Sequence, residues 1–271
     1  MDKANKMIGF IGAGAMGEAM IKGFINSGRV APGDIVAAEP REAQRNNLRE
    51  KYGIQVVIEN SKVIERCELV FLAVKPQVIA GVLTEISRGL QKKHVLLSIA
   101  AGISLQFLED NCPPGTSVWR IMPNTPALAG EGMIAYCGGR WVTAEQEEII
   151  HPLLASLGTA IKLPENYMNA VTGLSGSGPA YILYFLEAMI DGGVKAGLPR
   201  DISSELALQT LYGTAYMLKE EKTHPALLKE KVTSPGGTTI YGLHVLEKGA
   251  VAGWIMEAVV EAARRARELE K

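Results

Sequence analysis

The stretch Met7-Ile8-Gly9-Phe10-Ile11-Gly12-Ala13-Gly14-Ala15-Met16-Gly17 constrains the fold more than any other. A short apolar run leads directly into glycines at the G-x-G-x-x-G spacing, and Met16, Met20, Gly23, Phe24 and Ser27 then follow at helical spacing up to Gly28. Strand, glycine turn and helix in that order read as the opening of a dinucleotide-binding unit, the plainer reading being a glycine-rich strand-to-helix turn with no ligand. The first glycine makes the tight turn, the second lets a pyrophosphate approach the backbone, and the third lets helix and strand pack closely. The N–H groups at the helix start and the positive end of its dipole would hold the diphosphate. The spacing by itself is weak in a chain of 29 glycines; the flanking strand and helix give it weight.

The rest of the first half alternates in the same way. Strands are expected at 34–39, 54–58, 69–74, 94–100 and 118–122, with helices at 41–51, 77–90 and 104–111 between them, and Asn60 or Ser61 is expected to cap a short helix reaching Cys67. Leu69-Val70-Phe71-Leu72-Ala73-Val74 is apolar throughout, as a parallel strand buried on both faces should be. Further strands are expected at 133–137 and 160–163, separated by a helix that Thr143 and Gln146 open as a capping box. Beyond Pro164 the texture changes to helical patterns at 179–196, 203–221, 225–232, 239–248 and 251–270. The expected fold class is α/β: an N-terminal Rossmann-like, doubly wound, mostly parallel sheet (1–164), followed by an all-helical C-terminal domain (165–271) that binds substrate and mediates association. The last helices, as in Gly253-Trp254-Ile255-Met256, are apolar on several faces and need partners on more than one side, which predicts a homo-oligomer.

Composition excludes several classes. At 271 residues, 47% apolar and 21% charged, the chain is long enough for a substantial core. A net charge of −1 leaves no electrostatic footprint for nucleic acid or an anionic membrane surface. Cys67, Cys112 and Cys137 are odd in number and lack metal-ligand spacing, and the charged residues 1–6 run directly into the first strand without a signal peptide. A cytoplasmic protein with no metal site is expected. The histidines His94, His151, His224 and His244 form no nucleophilic or zinc-binding pattern.

Glu39 ends the second strand about twenty residues past the glycines, where the fold holds a ribose 2′-hydroxyl. Arg41, two residues on, suits a 2′-phosphate instead; NADH and NADPH therefore both stay open, as does the plain reading of a solvated strand-end acid and a helix-start arginine. Ala73-Val74-Lys75-Pro76 and Ile99-Ala100-Ala101 follow two further strands, on the side where open α/β sheets take their ligands. Asn124, in Met122-Pro123-Asn124-Thr125-Pro126, serves either a nicotinamide amide or the turn itself. Two glycine and hydroxyl stretches, 172–179 and 233–239, precede long helices; each reads as a nest for a small anion or as plain capping by Ser177 or Thr238.

Taken together, Gly9 to Gly14, Phe71 to Pro76, Met122 to Pro126, Ala170 to Tyr181, Asp191 to Pro199 and Ser234 to Thr239 resemble the 1-pyrroline-5-carboxylate reductase family across essentially the whole chain. The last three are specific to it. The resemblance implies reduction of a cyclic imino acid to L-proline with NADPH or NADH, the final step of proline biosynthesis. It places the substrate loop on Ser234, Gly237, Thr238 and Thr239, with Thr239 as the catalytic hydroxyl nearest the imine nitrogen. Glu165 and Lys231 fall at further ligand positions, although some members have asparagine where Lys231 stands. Ile11, Gly12, Ala13, Gly14, Ala15, Met16, Glu39, Asn60, Ala73, Val74, Lys75, Pro76, Ile99, Ala100 and Ala101 fall on the cofactor positions. It also implies a homodimer through the helical domain and a decamer of five dimers. Two other classes fit the same layout: a 3-hydroxyacid-type dehydrogenase, although 177–186 lacks the lysine such enzymes carry, and a non-catalytic NAD(P)-binding sensor, for which the second anion loop has no purpose.

Overall fold

The structure, a computed structural model, describes residues 7–271; the charged lead-in 1–6 lies outside the described residues. The chain divides into two compact units, one made of the described residues up to Ser177 together with Glu261–Lys271, the other of Gly178–Val260.

In the first unit eight strands form one sheet: β1 (Ile8–Ile11), β2 (Ile35–Ala38), β3 (Gln55–Val57), β4 (Leu69–Leu72), β5 (Val95–Ser98), β6 (Ser117–Met122), β7 (Gly132–Gly138) and β8 (Gly158–Lys162). Their order is β3-β2-β1-β4-β5-β6-β7-β8. The pairs from β3 to β6 are parallel, β7 runs antiparallel to β6, and β8 runs parallel to β7. Strand order therefore reverses between β1 and β4, and a doubly wound sheet opens its ligand crevice beyond the carboxyl ends of those two strands. The strands are shorter than their apolar runs. The ladder registers Leu72 with Ile11 and with Ser98, so 73–76 and 99–101 become connections beyond the sheet.

The helices of this unit are α1 (Ala15–Asn26), α2 (Glu42–Tyr52), α3 (Asn60–Arg66), α4 (Ile79–Ile86), α5 (Leu105–Asp110), α6 (Ala144–Ala155) and α7 (Met168–Val171). Alternation along each strand splits the core between the sheet's faces. Phe10, Phe71, Met20, Phe24, Leu48 and Leu154 fill one face, and Ile11, Leu72, Val63, Leu83, Leu108 and Met168 the other. Phe10 and Phe71 stack at 5.0 Å, with Phe24 tilted against both, so α1 is anchored on β1 and β4. The capping box opens α6: the Thr143 hydroxyl accepts from Gln146 N–H and the Gln146 side chain accepts from Thr143 N–H.

Three local expectations are corrected. Asn60 and Ser61 do not cap α3. Its N-cap is Glu59, and the Asn60 amide instead donates to the Glu85 carboxylate at 2.8 Å. The stretch 172–179 is not a loop. Residues Thr172–Gly176 form a turn of π-helix joining α7 to α8 (Gly178–Lys195); Ser177 N–H donates to Thr172 O, and the Thr172 hydroxyl to Met168 O. With those groups paired within the helix there is no open N-terminus for an anion, and Ser177 caps nothing. Thr238 is likewise the first helical residue of its helix, with Gly237 as N-cap.

The second unit contains α8, α9 (Arg200–Glu221), α10 (Pro225–Lys231), α11 (Thr238–Lys248) and the first ten residues of α12 (Val251–Glu268). Gly193 lets α8 and α9 approach closely, and the Ser203 hydroxyl donates to Ile190 O across that contact. Elsewhere the unit is open. Tyr184, Tyr241 and Trp254 are each about 70% exposed (77%, 73% and 68%), and a groove of about 710 Å³ runs between Tyr181, Phe185, Leu211, Trp254 and Ile255.

The end of α12 returns to the first unit. Lys271 N–H donates to Gly102 O and Lys271 O accepts from Ser104 N–H and hydroxyl, while Glu270 accepts from the buried Arg120 at 2.5 Å. Arg120 also reaches Glu165 (3.1 Å) and Asn169 (3.4 Å). Removing its guanidinium takes the hydrogen-bonded cation from two partly buried carboxylates, with Arg267 still attracting Glu270, so Arg120→Ala is expected to cost about 3 kcal/mol in urea unfolding, the lower end for a broken buried pair because both acids keep some solvent. A loss below about 1 kcal/mol contradicts the network.

Glu18, on α1, provides a second check. Burial raises its carboxyl, but hydrogen bonds from Gln44, Lys51 and Tyr52 outweigh this and bring it from 4.5 to about 2. The depressed value means stability present above pH 4.5 and lost as pH falls toward 2. The expected result is a wild-type Tm falling more steeply between pH 5 and pH 2 than that of Glu18→Gln; parallel curves would show no such linkage.

Candidate active site

The candidate cofactor cradle is built at the β1–α1 turn. Gly12 holds φ +87°, and a Cβ there would lie 2.7 Å from Ala73 O, so neither the conformation nor the space admits a side chain. Gly17 is equally tight against Gly12 O (2.8 Å). Gly14 differs: it is the N-cap of α1 with extended backbone, no side chain caps the helix, and a Cβ would meet nothing within 4 Å. The protein does not require glycine at 14, whereas a pyrophosphate approaching the uncapped amides of α1 does.

Around this turn the structure gathers Ile11, Gly12, Ala13, Gly14, Ala15 and Met16 from β1 and α1, Glu39 and Arg41 just past β2, Ala73 to Pro76 past β4, and Ile99 to Ala101 past β5. All lie at the carboxyl ends of strands neighbouring the reversal. Ala13 is gripped from two sides: its N–H donates to Glu39 Oε2 at 3.2 Å and its C=O accepts from Gln44 at 2.9 Å. Glu39 is buried and accepts from Arg41 through N–H, Nε and Nη2. Burial raises its pKa, yet the Arg41 side chain and the two backbone N–H groups more than offset this and hold the carboxyl below its usual range. Asn60 starts α3, past β3, with its amide on Glu85.

Asn124, past β6, has its side chain engaged by the protein. Its Oδ1 accepts from Met133 N–H at 2.8 Å and its Nδ2 donates to Ser175 O and Oγ, bonds that tie the connection past β6 to β7 and to the π-helical turn. Glu165 accepts from Leu105 N–H at 2.7 Å and from Arg120. Sequence reading missed Arg120. Its partners Glu165 and Glu270 lie far along the chain, so no local spacing marked it; an arginine in an otherwise apolar buried strand was the available signal.

Ser234, Gly237, Thr238 and Thr239 lie in the second unit, at the start of α11. Gly236 (φ +67°) turns the chain, Gly237 N–H donates to Ser234 O, and Gly237 is the N-cap of α11 with no side-chain cap. The first-turn amides of α11 and the hydroxyls of Ser234, Thr238 and Thr239 thus form a small polar stretch with the donors an anionic group needs. Lys231, at the end of α10, is paired with Glu221. Glycine is the N-cap of both α1 and α11, which leaves each first turn open to a ligand.

Burial pushes the Cys67, Cys112 and Cys137 thiols up to about 12. Among the described residues no group of three or more His, Cys, Asp or Glu could hold a metal ion, and no helix is long and apolar enough to cross a membrane.

Comparison with known proteins covers both units. Residues 165–269 match the family described as pyrroline-5-carboxylate reductase dimerisation, and residues 7–102 the family described as NADP oxidoreductase, coenzyme F420-dependent. The chain is 45% identical over 264 residues to the pyrroline-5-carboxylate reductase of Synechocystis, covering 97% of this chain and 98% of that one. It is 43% identical to that of Arabidopsis thaliana, covering 97% and 95%. The crystal structure of Plasmodium falciparum pyrroline carboxylate reductase with NADP bound superposes with a TM-score of 0.90 at 31% identity, covering 98% of this chain and 99% of that one. With an eight-stranded, mostly parallel sheet, a glycine cradle at its reversal point and relatives matched from end to end, the chain belongs to the pyrroline-5-carboxylate reductase family.

Proposed function

We propose that this protein reduces 1-pyrroline-5-carboxylate to L-proline by hydride transfer from NADPH or NADH to the cyclic C=N bond, the last step of proline biosynthesis. The observation that carries the reading is the pair of glycine-capped helix starts, Gly14 on α1 and Gly237 on α11, in a chain of this family. The first suits a diphosphate and the second a substrate carboxylate. The nicotinamide, when bound, supplies the hydride.

The chain's own residues then bind and orient. Ile11 to Met16, Asn60, Ala73 to Pro76, Ile99 to Ala101 and Asn124 hold the cofactor. Ser234, Gly237 and Thr238 hold the carboxylate, and Glu165 fixes the connection at Leu105 from which α5 begins. Thr239, the second residue of α11, presents its hydroxyl to the imine nitrogen and orients it or relays its proton. A protonated imine is already a good hydride acceptor, so alignment can supply most of the acceleration, on the order of 7–11 kcal/mol in favourable cases. This accounts for a site built on hydroxyls and amides.

The functional division we propose is 1–164 for the dinucleotide and 165–271 for substrate and association. It follows the change from strands to helices at Pro164, while the compact units break the chain later and return 261–271 to the first. The dimerisation match over 165–269 and the exposed aromatic side chains of α8, α11 and α12 support a homodimer through the helices, and from it a decamer of five dimers. Three unpaired cysteines support a cytoplasmic setting.

Two measurements test this. With 1-pyrroline-5-carboxylate as substrate, NAD(P)H absorbance is expected to fall with turnover, and Thr239→Ala to lower kcat/KM roughly a hundredfold, the lower end of what a positioned proton-transfer group contributes, with Thr239→Ser retaining most activity. An unchanged kcat/KM in Thr239→Ala removes that residue from the mechanism. Light scattering at micromolar protein is expected to give a dimer or larger. Trp254→Glu, at a side chain 68% exposed in the single chain, is expected to weaken association by about 2 kcal/mol or more, as for a buried aromatic anchor, without loss of helicity. A monomeric wild type contradicts the assembly.

A further inference from the structure

The carboxylate of Glu39 is where this fold ordinarily accepts the ribose 2′-hydroxyl of NAD, but its acceptor positions are already filled. Oε1 accepts from Arg41 N–H at 3.1 Å and from Arg41 Nε at 2.7 Å; Oε2 accepts from Ala13 N–H and from Arg41 Nη2, both at 3.2 Å. An ionised carboxylate offers about four lone-pair sites, and these four bonds use them. The Glu39 side chain is only 4% exposed, whereas that of Arg41 is 64% exposed. Arg41 is thus held in a two-point fork at the mouth of the cradle. Two of its five N–H groups are spent on Glu39 and those of Nη1 are left for a further acceptor. Arg45 does not compete for the carboxylate; its Nη1 donates to the main-chain oxygens of Glu39 and Pro40.

Resting on the reading that the glycine turn holds a dinucleotide, we infer that Glu39 is a positioning residue that presents Arg41 to the 2′-phosphate of NADPH, and is not the acceptor of a ribose hydroxyl. A buried carboxylate facing a phosphate directly would repel it. With the guanidinium clamped between them, the same carboxylate fixes the geometry and charge of the group that attracts it.

The two roles for Glu39 predict opposite signs. If Glu39 accepts the 2′-hydroxyl, Glu39→Gln weakens 5′-AMP binding and relieves repulsion of a 2′-phosphate. If it positions Arg41, the same change loosens the fork and weakens binding of the 2′-phosphate alone. The experiment is calorimetric titration of the full-length protein with 2′,5′-ADP and with 5′-AMP, which differ only in the 2′-phosphate, followed by kcat/KM for NADPH and NADH. Wild type is expected to bind 2′,5′-ADP at least about tenfold more tightly than 5′-AMP, the worth of one charge-assisted bidentate contact. Arg41→Ala and Glu39→Gln are both expected to lose most of that ratio while 5′-AMP binding changes less than about threefold, and the NADPH/NADH ratio of kcat/KM is expected to fall with it. Arg41→Lys, which keeps the charge without the fork, should lose it as well and covers the case of a Glu39→Gln protein that does not fold. Tighter 2′,5′-ADP or weaker 5′-AMP binding in Glu39→Gln overturns the inference, as does full selectivity in Arg41→Lys. A wild type that binds 5′-AMP but favours 2′,5′-ADP no further overturns it and leaves the dinucleotide reading standing; a wild type that binds neither overturns both.

Discussion

The approach of two strand ends at Gly12 is the constraint on which the rest of the cradle depends. The carbonyl of Ala73 lies so near that a single added carbon at Gly12 would sit 2.7 Å from it, and φ there is +87°. Gly17 repeats the contact one helical turn later, against the carbonyl of Gly12 itself. These approaches bring α1 down onto the sheet at the point where strand order reverses. The parts around it are then hung from Ala13, between the first two glycines: Glu39 takes its N–H and Gln44 its carbonyl, which fixes β2 and α2 on the turn. Glu18 continues the same tie through Gln44, Lys51 and Tyr52. Gly14, two residues on from Gly12, has open space where a side chain would stand.

This difference separates Gly12 and Gly17, which the packing requires, from Gly14, which it does not. Helix starts must find acceptors for their first N–H groups. In α5 and α6 the chain supplies them from its own side chains, Ser104 and the Thr143–Gln146 box. In α1 and α11 it places glycine at the N-cap and supplies no side-chain cap. Starts of the first kind are closed from within the chain; an uncapped start leaves its first amides to other acceptors, a feature α1 and α11 share with α2, α3, α4 and α9.

Legibility in the sequence followed the range of the interactions. The strand and helix alternation, the capping box and the glycine turn are written in local periodicity, and each is in the structure close to where the residues placed it. Strand ends were overrun because an apolar run does not register its own ladder; Ala73 and Val74 are as apolar as Leu72 but lie past the last ladder pair, although Ala73 N–H still donates to Ile11 O. The stretch 172–179 misled for a different reason. Glycines and hydroxyls read as a loop, yet a π-helical turn closes through backbone bonds that are blind to composition, and the Thr172 hydroxyl pairs backwards with Met168 O instead of forward with a ligand. Arg120 was illegible because what gives it a role, Glu165 and Glu270, comes from 45 and 150 positions away. Between these lies Glu39 with Arg41, whose residue types were legible while the bonds joining them were not.

The helical unit poses a problem of stability that bears on the chemistry. Among the described residues of Gly178–Val260 only Leu186, Ser203, Ala207 and Leu228 are buried, although the unit carries Tyr184, Tyr241, Trp254 and Ile255 at its surface. Burial of apolar area is the main favourable term in folding, so a layer with so little interior must draw its stability from the faces it leaves open. On the homo-oligomeric reading those faces close against other copies, and stability then rises with protomer concentration by mass action. The 234–239 stretch belongs to this unit, and the donors at the start of α11 are only as well ordered as the helix behind them. If the proposed carboxylate site lies there, substrate affinity and assembly are linked quantities: whatever orders α11 through association lowers the entropic cost of placing its amides around a carboxylate, and a bound carboxylate favours association by the same free energy.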